Sequence, residues 1–181
     1  MGTWPHVFLP AMTRPALCGA ATPEAPFPVY LQGTVEHGFG RGSKDLNCPT
    51  ANLPVSALYA EQAQHRLEQT GVYFGYAQVR FPADAALPQE DRVVHPMVMS
   101  VGWNPHFKNK EKSVEVHIMH TFHGDFYGQE MRVVVLGYIR PELEYKSLDA
   151  LIDDIETDKR VGEASVARPA YAAYRNDPLF H

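Results

Sequence analysis

Three glycines and a lysine in residues 37–54, HGFGRGSKDLNCPTANLP, are candidates for binding phosphate. Gly38, Gly40 and Gly42 alternate along the chain, so the backbone could turn tightly and present N–H groups to an anion, with Lys44 adding a positive charge. The order Gly-Ser-Lys and the prolines that follow do not fit a Walker loop, because no helix can finish the site. No βαβ unit follows, which argues against a dinucleotide-binding loop. The spacing leaves phosphate binding and a flexible turn open.

A hydroxyl and an amide lie near the end of this stretch. Thr50 and Asn52 lie two residues apart in PTAN, so their side chains would point the same way in an extended segment. Both offer hard oxygen donors, and a nucleotide-bound Mg²⁺ needs few protein oxygens because phosphates and water supply the others. The alternative is a turn in which these side chains bond the local backbone.

One carboxylate lies inside a β-like run, SVEVHIMHTF. Glu115 and His117 would share one face of this strand, and valines would occupy the other. Glu115 could therefore line a pocket as a general base, or form a salt bridge at its rim.

The histidines His117, His120 and His123 suggest a metal site at first sight. On a strand, positions 117 and 120 face opposite sides, and the β-rich context does not suit helical spacing. The sequence therefore argues against zinc.

Arg140 follows a strong strand and precedes Pro141, so we expect its side chain to project into a loop. A guanidinium there could pair with phosphate, and Tyr145 could supply a stacking face.

Strands must position most of these residues. Alternation runs from Val29 to Glu36. Runs rich in Val, Ile, Tyr and Phe follow at 71–80, 94–103, 113–122 and 131–139. Several are apolar on both faces, and their glycines indicate bends or close backbone approach (Gly75, Gly102 and Gly137). This pattern favours a small closed or partly closed antiparallel barrel over a doubly wound fold.

Two helical segments and an irregular head complete the chain. Residues 55–68 are compatible with a short helix, and Ser147 could cap a C-terminal helix. The apolar stripe of that helix would comprise Leu148, Leu151, Ile152 and Ile155. Residues 1–28 are rich in proline and lack a period, so we expect a flexible N-terminal extension before one domain at 29–181.

Composition limits the partners and the compartment. A net charge of -5 over 181 residues gives no basic face, so nucleic acid is not an expected partner. No apolar run approaches the roughly 18–20 residues that span a bilayer, and no secretory signal is recognisable. Two cysteines do not make a disulfide framework, so we expect a cytoplasmic protein, with organellar targeting by the head as the alternative.

The motifs GFGRGSK, PTAN, GWNP, E-x-HIMH, FYG and GYIRPE together resemble the riboflavin kinase (flavokinase) family, in its stand-alone eukaryotic form, from about Tyr30 to the C-terminal helix. The resemblance implies a mainly β fold, a six-stranded antiparallel Greek-key β-barrel with a C-terminal helix. It implies transfer of the γ-phosphate of ATP to the 5′-hydroxyl of riboflavin, giving FMN. It implies Mg²⁺ as cofactor, with Zn²⁺ or Mn²⁺ as alternatives, and riboflavin/FMN and ATP/ADP as partners. We expect a monomer that binds neither nucleic acid nor a membrane.

The resemblance also implies roles for individual residues. Glu115 would be the catalytic base that activates the ribityl hydroxyl, and Thr50 and Asn52 would bind the metal and phosphate. The other nucleotide-binding positions would be Gly38, Lys44, Ile118, His120 and Tyr127. The flavin-binding positions would be Arg140, Leu143 and Tyr145.

The sequence departs from the family pattern at several places. Asn47-Cys48 replaces the more usual Gly-Ile before PTAN, residues 81–94 form an enlarged loop, and Leu143 stands where the family has a lysine-like residue. Residues 1–28 have no counterpart and are too few for an FMN adenylyltransferase domain, so FAD synthesis is not expected. A non-catalytic flavin-binding barrel is the alternative function. A nucleic-acid-binding barrel is a third, which the net charge disfavours.

Overall fold

The computed structural model describes residues 14–37, 48–59, 67–103 and 112–181, and six of its strands form one sheet. The strands are β1 (Val29–Thr34), β2 (Ala51–Leu53), β3 (Gly71–Arg80), β4 (His95–Trp103), β5 (Lys112–Ile118) and β6 (Glu130–Arg140). The helices are α1 (Leu148–Val166) and α2 (Pro169–Ala172). Short 3₁₀ turns cover Val55–Tyr59, Gln89–Arg92, Ala173–Asn176 and Pro178–Phe180.

The sheet has the order β1-β6-β3-β4-β5-β2, and every neighbouring pair is antiparallel. Strands β3, β4 and β5 are successive neighbours, and β6 returns beside β3, which is the Greek-key arrangement. The sheet curls into a half-barrel whose edges approach each other, since Glu36, just past β1, bridges to Asn52 in β2. The predicted fold class is therefore confirmed.

Two apolar clusters explain why several strands lack a polar face. Tyr73 and Val133 belong to the cluster inside the half-barrel. Phe74 and Val134, their neighbours along the same strands, belong to the cluster between the sheet and the C-terminal helices. Because β3 and β6 are covered on both sides, they read as nearly continuous apolar runs.

Two of the strand glycines permit close approach, as the sequence predicted. Gly75 lies at a register shift between β3 and β6, where a Cβ would come within 2.0 Å of the Val134 carbonyl oxygen. A Cβ on Gly137 would come within 2.4 Å of the Phe74 ring. Both positions therefore exclude a side chain.

Some element boundaries differ from the predictions. Strand β5 ends at Ile118 instead of continuing to residue 122, because the His120 N–H turns back to the Ile118 carbonyl oxygen at 2.8 Å. Of the helix expected at 55–68, the structure has a 3₁₀ turn at Val55–Tyr59, and residues 60–66 lie outside the described part.

Helix α1 begins as predicted but buries a different face. The Ser147 hydroxyl accepts from the Ala150 N–H at 3.2 Å, which confirms the cap. Leu148 is 53% exposed, and the remaining residues of the expected stripe are only half-buried. The buried residues lie further along the helix: Asp158, Val161, Gly162, Ser165 and Val166. The prediction of the stripe was wrong because the second half of α1 packs on β3 and β4. No helix in the described ranges has the length and apolarity to cross a membrane.

The described part of the N-terminal segment lies against α1 and α2. The Cys18 N–H donates to Ser165 Oγ at 2.9 Å, and Arg168 and Tyr171 donate to the Ala20 carbonyl oxygen at 2.7 and 3.0 Å. These contacts hold the backbone of residues 18–20 against Ser165, Arg168 and Tyr171, and the flexible extension predicted for residues 1–28 as a whole stays a prediction. The boundary between residues 28 and 29 stays a prediction.

Candidate active site

An open cleft lies between the end of β5, the loop after it and one face of α1. Its volume is about 1050 Å³, near the upper end of the roughly 300–1,000 Å³ of typical ligand pockets. Four residues that the sequence assigned to nucleotide binding line it: Thr50, Ile118, His120 and Tyr127. The fold therefore collects positions that are far apart in the chain into one site.

A histidine of β5 holds the segment that carries Thr50. The buried His117 donates from Nδ1 to the Pro49 carbonyl oxygen over 2.8 Å, since a carbonyl oxygen can only accept. Burial lowers the pKa of His117 below its ordinary 6.5, so the ring is neutral at pH 7. His117 therefore fixes the residue before Thr50.

Cys48, one of the departures from the family pattern, is buried beside this anchor. Burial raises the pKa of its thiol to about 11, although the nearby charge of Lys159 acts to lower it. The thiol is therefore protonated at neutral pH and poorly reactive, because the thiolate is the nucleophile.

Asn52 and Glu115 are direct cross-strand partners in the β2–β5 pair. Such partners have Cβ atoms about 4.5–5.5 Å apart on the same face of a sheet. Ser100 of β4 is opposite Glu115 on its other side, and the sequence pattern did not single it out. Ala51 and Val116 line the cleft, whereas Asn52 and Glu115, the adjacent residues on β2 and β5, are not among its lining residues.

The same lateral row of residues leads to the loop after β6. Ser100 is paired with Val72, and Val72 with Arg140. Glu115 and Arg140 are therefore three strand spacings apart, roughly 14 Å at about 4.8 Å per spacing. The candidate base thus lies in a row of paired residues between Asn52 and Arg140, and Arg140 precedes residues 141–147, which we call the flavin loop after its predicted role.

The enlarged loop 81–94 fixes two histidines of the cleft. Asp91 is 1% exposed, and its carboxylate accepts from His120 Nε2 at 2.7 Å and from the His123 N–H at 3.2 Å. Burial alone would raise the pKa of Asp91, but these hydrogen bonds lower it. His95 stacks on His120 with ring centroids 4.1 Å apart. Within the described ranges, no group of three His, Cys, Asp or Glu residues could hold a metal ion.

The glycine-rich stretch begins and ends beside the cleft. His37 stacks on Tyr127 with ring centroids 3.7 Å apart, and Cys48 leads into the segment that His117 anchors. Gly38 and Lys44 themselves lie outside the described residues, so their phosphate-binding role stays a prediction.

Helix α1 adds charged residues that the sequence analysis did not identify. They are Glu156, Lys159, Arg160 and Glu163. Lys159 bonds Glu156 at 2.6 Å. The two cations of the cleft face could offset part of the charge of a triphosphate. The available signal was the adjacent pair Lys159-Arg160, which an analysis of apolar stripes overlooks.

Arg140 does not project into the loop as predicted. Its side chain is buried, with Nη2 and Nε donating to Asp158 Oδ2 at 2.7 and 3.0 Å and Nη1 donating to the Pro141 carbonyl oxygen at 3.0 Å. A buried guanidinium needs such a partner because an unpaired charge is costly there. Arg140 thus joins the end of β6 to α1.

The two other predicted flavin residues lie on the flavin loop. Leu143 is 48% exposed, and the Tyr145 hydroxyl donates to Asp154 Oδ2 at 2.6 Å. Burial, reinforced by that hydrogen bond, raises the pKa of Tyr145 to about 12. The loop therefore combines an exposed apolar side chain with an anchored aromatic ring.

The donor set of Thr50 and Asn52 suits a hard cation. Thr50 and Asn52 offer neutral oxygens, and Asn52 is opposite the Glu115 carboxylate. Mg²⁺ accepts few protein oxygens when phosphates and water complete its shell, whereas Zn²⁺ favours nitrogen and sulfur. The residues present therefore fit Mg²⁺ better than Zn²⁺.

Comparison with known proteins gives a consistent result. The family model described as "Flavokinase: Riboflavin kinase" matches residues 25–166. A riboflavin kinase of Lodderomyces elongisporus is 39% identical over 92% of this chain and 99% of its own length. A riboflavin kinase of Pyricularia oryzae is 45% identical over 89% of this chain and 82% of its own. The crystal structure of riboflavin kinase from Trypanosoma brucei is similar with a TM-score of 0.61 and 27% identity, covering 84% of this chain and 88% of that one.

Proposed function

Because the chain belongs to the riboflavin kinase family, a family of phosphotransferases, we propose that it transfers the γ-phosphate of ATP to the 5′-hydroxyl of riboflavin. The products are FMN and ADP. The observation that supports this most directly is the cross-strand Asn52–Glu115 pair, whose neighbours Ala51 and Val116 line a nucleotide-sized cleft. An elongated substrate with a hydroxyl at one end can place that hydroxyl at Glu115 and its ring system under the loop.

In this proposal Glu115 is the general base. The 5′-hydroxyl oxygen forms a bond to the γ-phosphorus, the bond from that phosphorus to the β,γ-bridging oxygen breaks, and the hydroxyl proton passes to the Glu115 carboxylate. A primary alcohol is a weak nucleophile, so a positioned carboxylate increases its reactivity in the transition state.

The nucleotide occupies the cleft, with Ile118, His120 and Tyr127 around it. Gly38 and Lys44 contribute to the phosphate site. Thr50 and Asn52 would hold Mg²⁺, or Mn²⁺ in its place, and a cation bound there would neutralise charge that develops on the phosphates. His117 supports this role, because its bond to Pro49 restricts Thr50.

The flavin loop covers the riboflavin ring. Leu143 and Tyr145 provide apolar and aromatic surface, and Tyr145 is held by Asp154. Arg140 contributes by anchoring the loop, because its guanidinium is engaged by Asp158 and Pro141.

A product assay tests this function. The full chain with riboflavin and Mg-ATP should give FMN and ADP in equal amounts, and removal of the cation by a chelator should stop the reaction until Mg²⁺ is restored. Quenching of riboflavin fluorescence without FMN formation under any cation would instead support a non-catalytic flavin-binding protein. Oligonucleotide binding without flavin binding would support a nucleic-acid-binding barrel.

A further inference from the structure

Arg14 lies outside the matched family region, yet it contacts the helix that anchors the flavin loop. Its Nη1 donates to the Asp154 carbonyl oxygen at 3.0 Å and to Asp158 Oδ1 at 2.5 Å, and its Nη2 donates to Asp154 Oδ2 at 2.5 Å. The Arg14 side chain is only 11% exposed. One guanidinium thus bridges two carboxylates that are one turn apart on α1.

Each of these carboxylates also holds a residue at the flavin loop. Asp154 accepts from the Tyr145 hydroxyl at 2.6 Å, and Asp158 accepts from Arg140 Nη2 at 2.7 Å. Arg140 in turn lies 5.9 Å from the centroid of the Tyr145 ring. The contacts therefore form one network from Arg14 through α1 to both ends of the loop.

The charges of this network balance only when Arg14 is present. Two carboxylates, Asp154 and Asp158, are opposed by two guanidinium groups, Arg14 and Arg140. Without Arg14, Arg140 is the one guanidinium among the described residues that is left to both carboxylates, and Asp158 is 2% exposed, so water cannot easily compensate its charge. Arg140 would then be drawn between the two carboxylates, and the Tyr145 contact to Asp154 would change with it.

Arg14 is not what attaches the N-terminal segment to the protein. Cys18 and Ala20 are held through Ser165, Arg168 and Tyr171, independently of Arg14. A substitution of Arg14 should therefore leave the segment in place while unbalancing the network.

We propose that Arg14 is a positioning residue for the flavin loop, setting riboflavin affinity through Asp154 and Asp158. This inference rests on the proposed function, in which that loop covers the flavin. It assigns a substrate-binding role to a segment that the family pattern does not include.

Arg14→Gln and Arg14→Lys in the full chain test the proposal. The measured quantities are the riboflavin Kd by fluorescence quenching, the KM of each substrate and the free energy of unfolding. For Arg14→Gln we expect the riboflavin Kd and KM to rise about tenfold, equivalent to about 1.4 kcal/mol, with the Mg-ATP KM within about twofold of wild type. Arg14→Lys should restore part of the affinity because it keeps the positive charge.

The matched control is Arg132→Gln. Arg132 also bonds a carboxylate and a carbonyl, Glu130 Oε1 at 2.7 Å and Leu179 O at 2.8 Å, but at the opposite end of β6. Its loss should lower stability without changing the riboflavin Kd.

A double-mutant cycle of Arg14→Gln with Tyr145→Phe should be non-additive, because Tyr145→Phe removes the hydroxyl that transmits the effect through Asp154.

The outcomes separate the two claims. If wild type binds no riboflavin, the proposed function fails and the inference fails with it. If wild type binds riboflavin and makes FMN, an unchanged Kd in Arg14→Gln overturns the inference alone. An equal rise in both KM values would also overturn it, since that would indicate a general structural effect.

Discussion

Replacing His117 tests whether the side chain that anchors the segment before Thr50 controls nucleotide binding. Leucine at this position removes the donor to the Pro49 carbonyl oxygen, whereas asparagine keeps a donor near the position of Nδ1. A net neutral hydrogen bond contributes about 0.5–1.5 kcal/mol, and leaving a buried acceptor unpaired costs about 1–3 kcal/mol. Pro49 itself is exposed, so water can replace part of the lost bond. We therefore expect the free energy of unfolding of His117→Leu to fall by about 1 kcal/mol, and Tm by about 2–4 °C.

The kinetic effect should be selective. Loss of the bond frees the residue before Thr50, so the KM for Mg-ATP should rise about fivefold, equivalent to about 1 kcal/mol, while the KM for riboflavin stays within about twofold. Steady-state kinetics with each substrate varied and urea unfolding would measure both effects. His117→Asn should stay close to wild type. Equal Mg-ATP KM values for the leucine and asparagine variants would refute the reasoning.

Three further expectations follow from burial and charge. Burial lowers the pKa of both His117 and His95 below 6.5, so the unfolded chain binds more protons than the folded protein in acid. The free energy of unfolding should therefore decrease as pH falls below about 6.5, by up to about 1.4 kcal/mol per pH unit for each group. Equal free energies of unfolding from urea titrations at about pH 7.5 and about pH 5.5 would contradict this. Gly75→Ala should destabilise the protein by about 1–3 kcal/mol because the new Cβ would meet the backbone of β6. Gly124→Ala is the control: a Cβ there would have no atom within 4 Å, so stability should change by less than about 0.5 kcal/mol. Similar changes in Tm for the two variants would show that the strand contact is unimportant. Lys159→Gln should raise the Mg-ATP KM about tenfold at low salt and less at high salt, since added ions screen the charge. A ratio of variant to wild-type KM that does not change with salt would argue against a charge contact.

The strands were predictable because local burial shapes local sequence. Strands β3 and β6 are covered on both faces, so their Val, Ile and Tyr runs indicated strands from composition alone. The nucleotide residues came from the family resemblance, and the fold then brought four of them to one cleft. Residues 38–47 lie outside the described part, so the glycine-rich stretch stays a prediction.

The partners of buried charges were not predictable from local patterns. Hydropathy assigns Asp158 to solvent, but the structure buries it because Arg14 and Arg140 neutralise it. Arg14 lies 144 residues away in the chain, so no local period connects the two. The same reasoning explains Arg140, whose position before Pro141 suggested an exposed side chain. Asp91 is a third case, since its partners His120 and His123 belong to a different loop.

The central claim is that Glu115 accepts the proton of the riboflavin hydroxyl during phosphoryl transfer. The most direct measurement is the rate of FMN formation in a single turnover by Glu115→Gln, together with its riboflavin Kd. Glu130→Gln, at the far end of β6, serves as the carboxylate control. The account predicts a riboflavin Kd close to wild type and a rate lower by roughly 10²–10⁴-fold for Glu115→Gln, the range for loss of a general base, with an unchanged rate for the control. A wild-type rate of FMN formation by Glu115→Gln would contradict it.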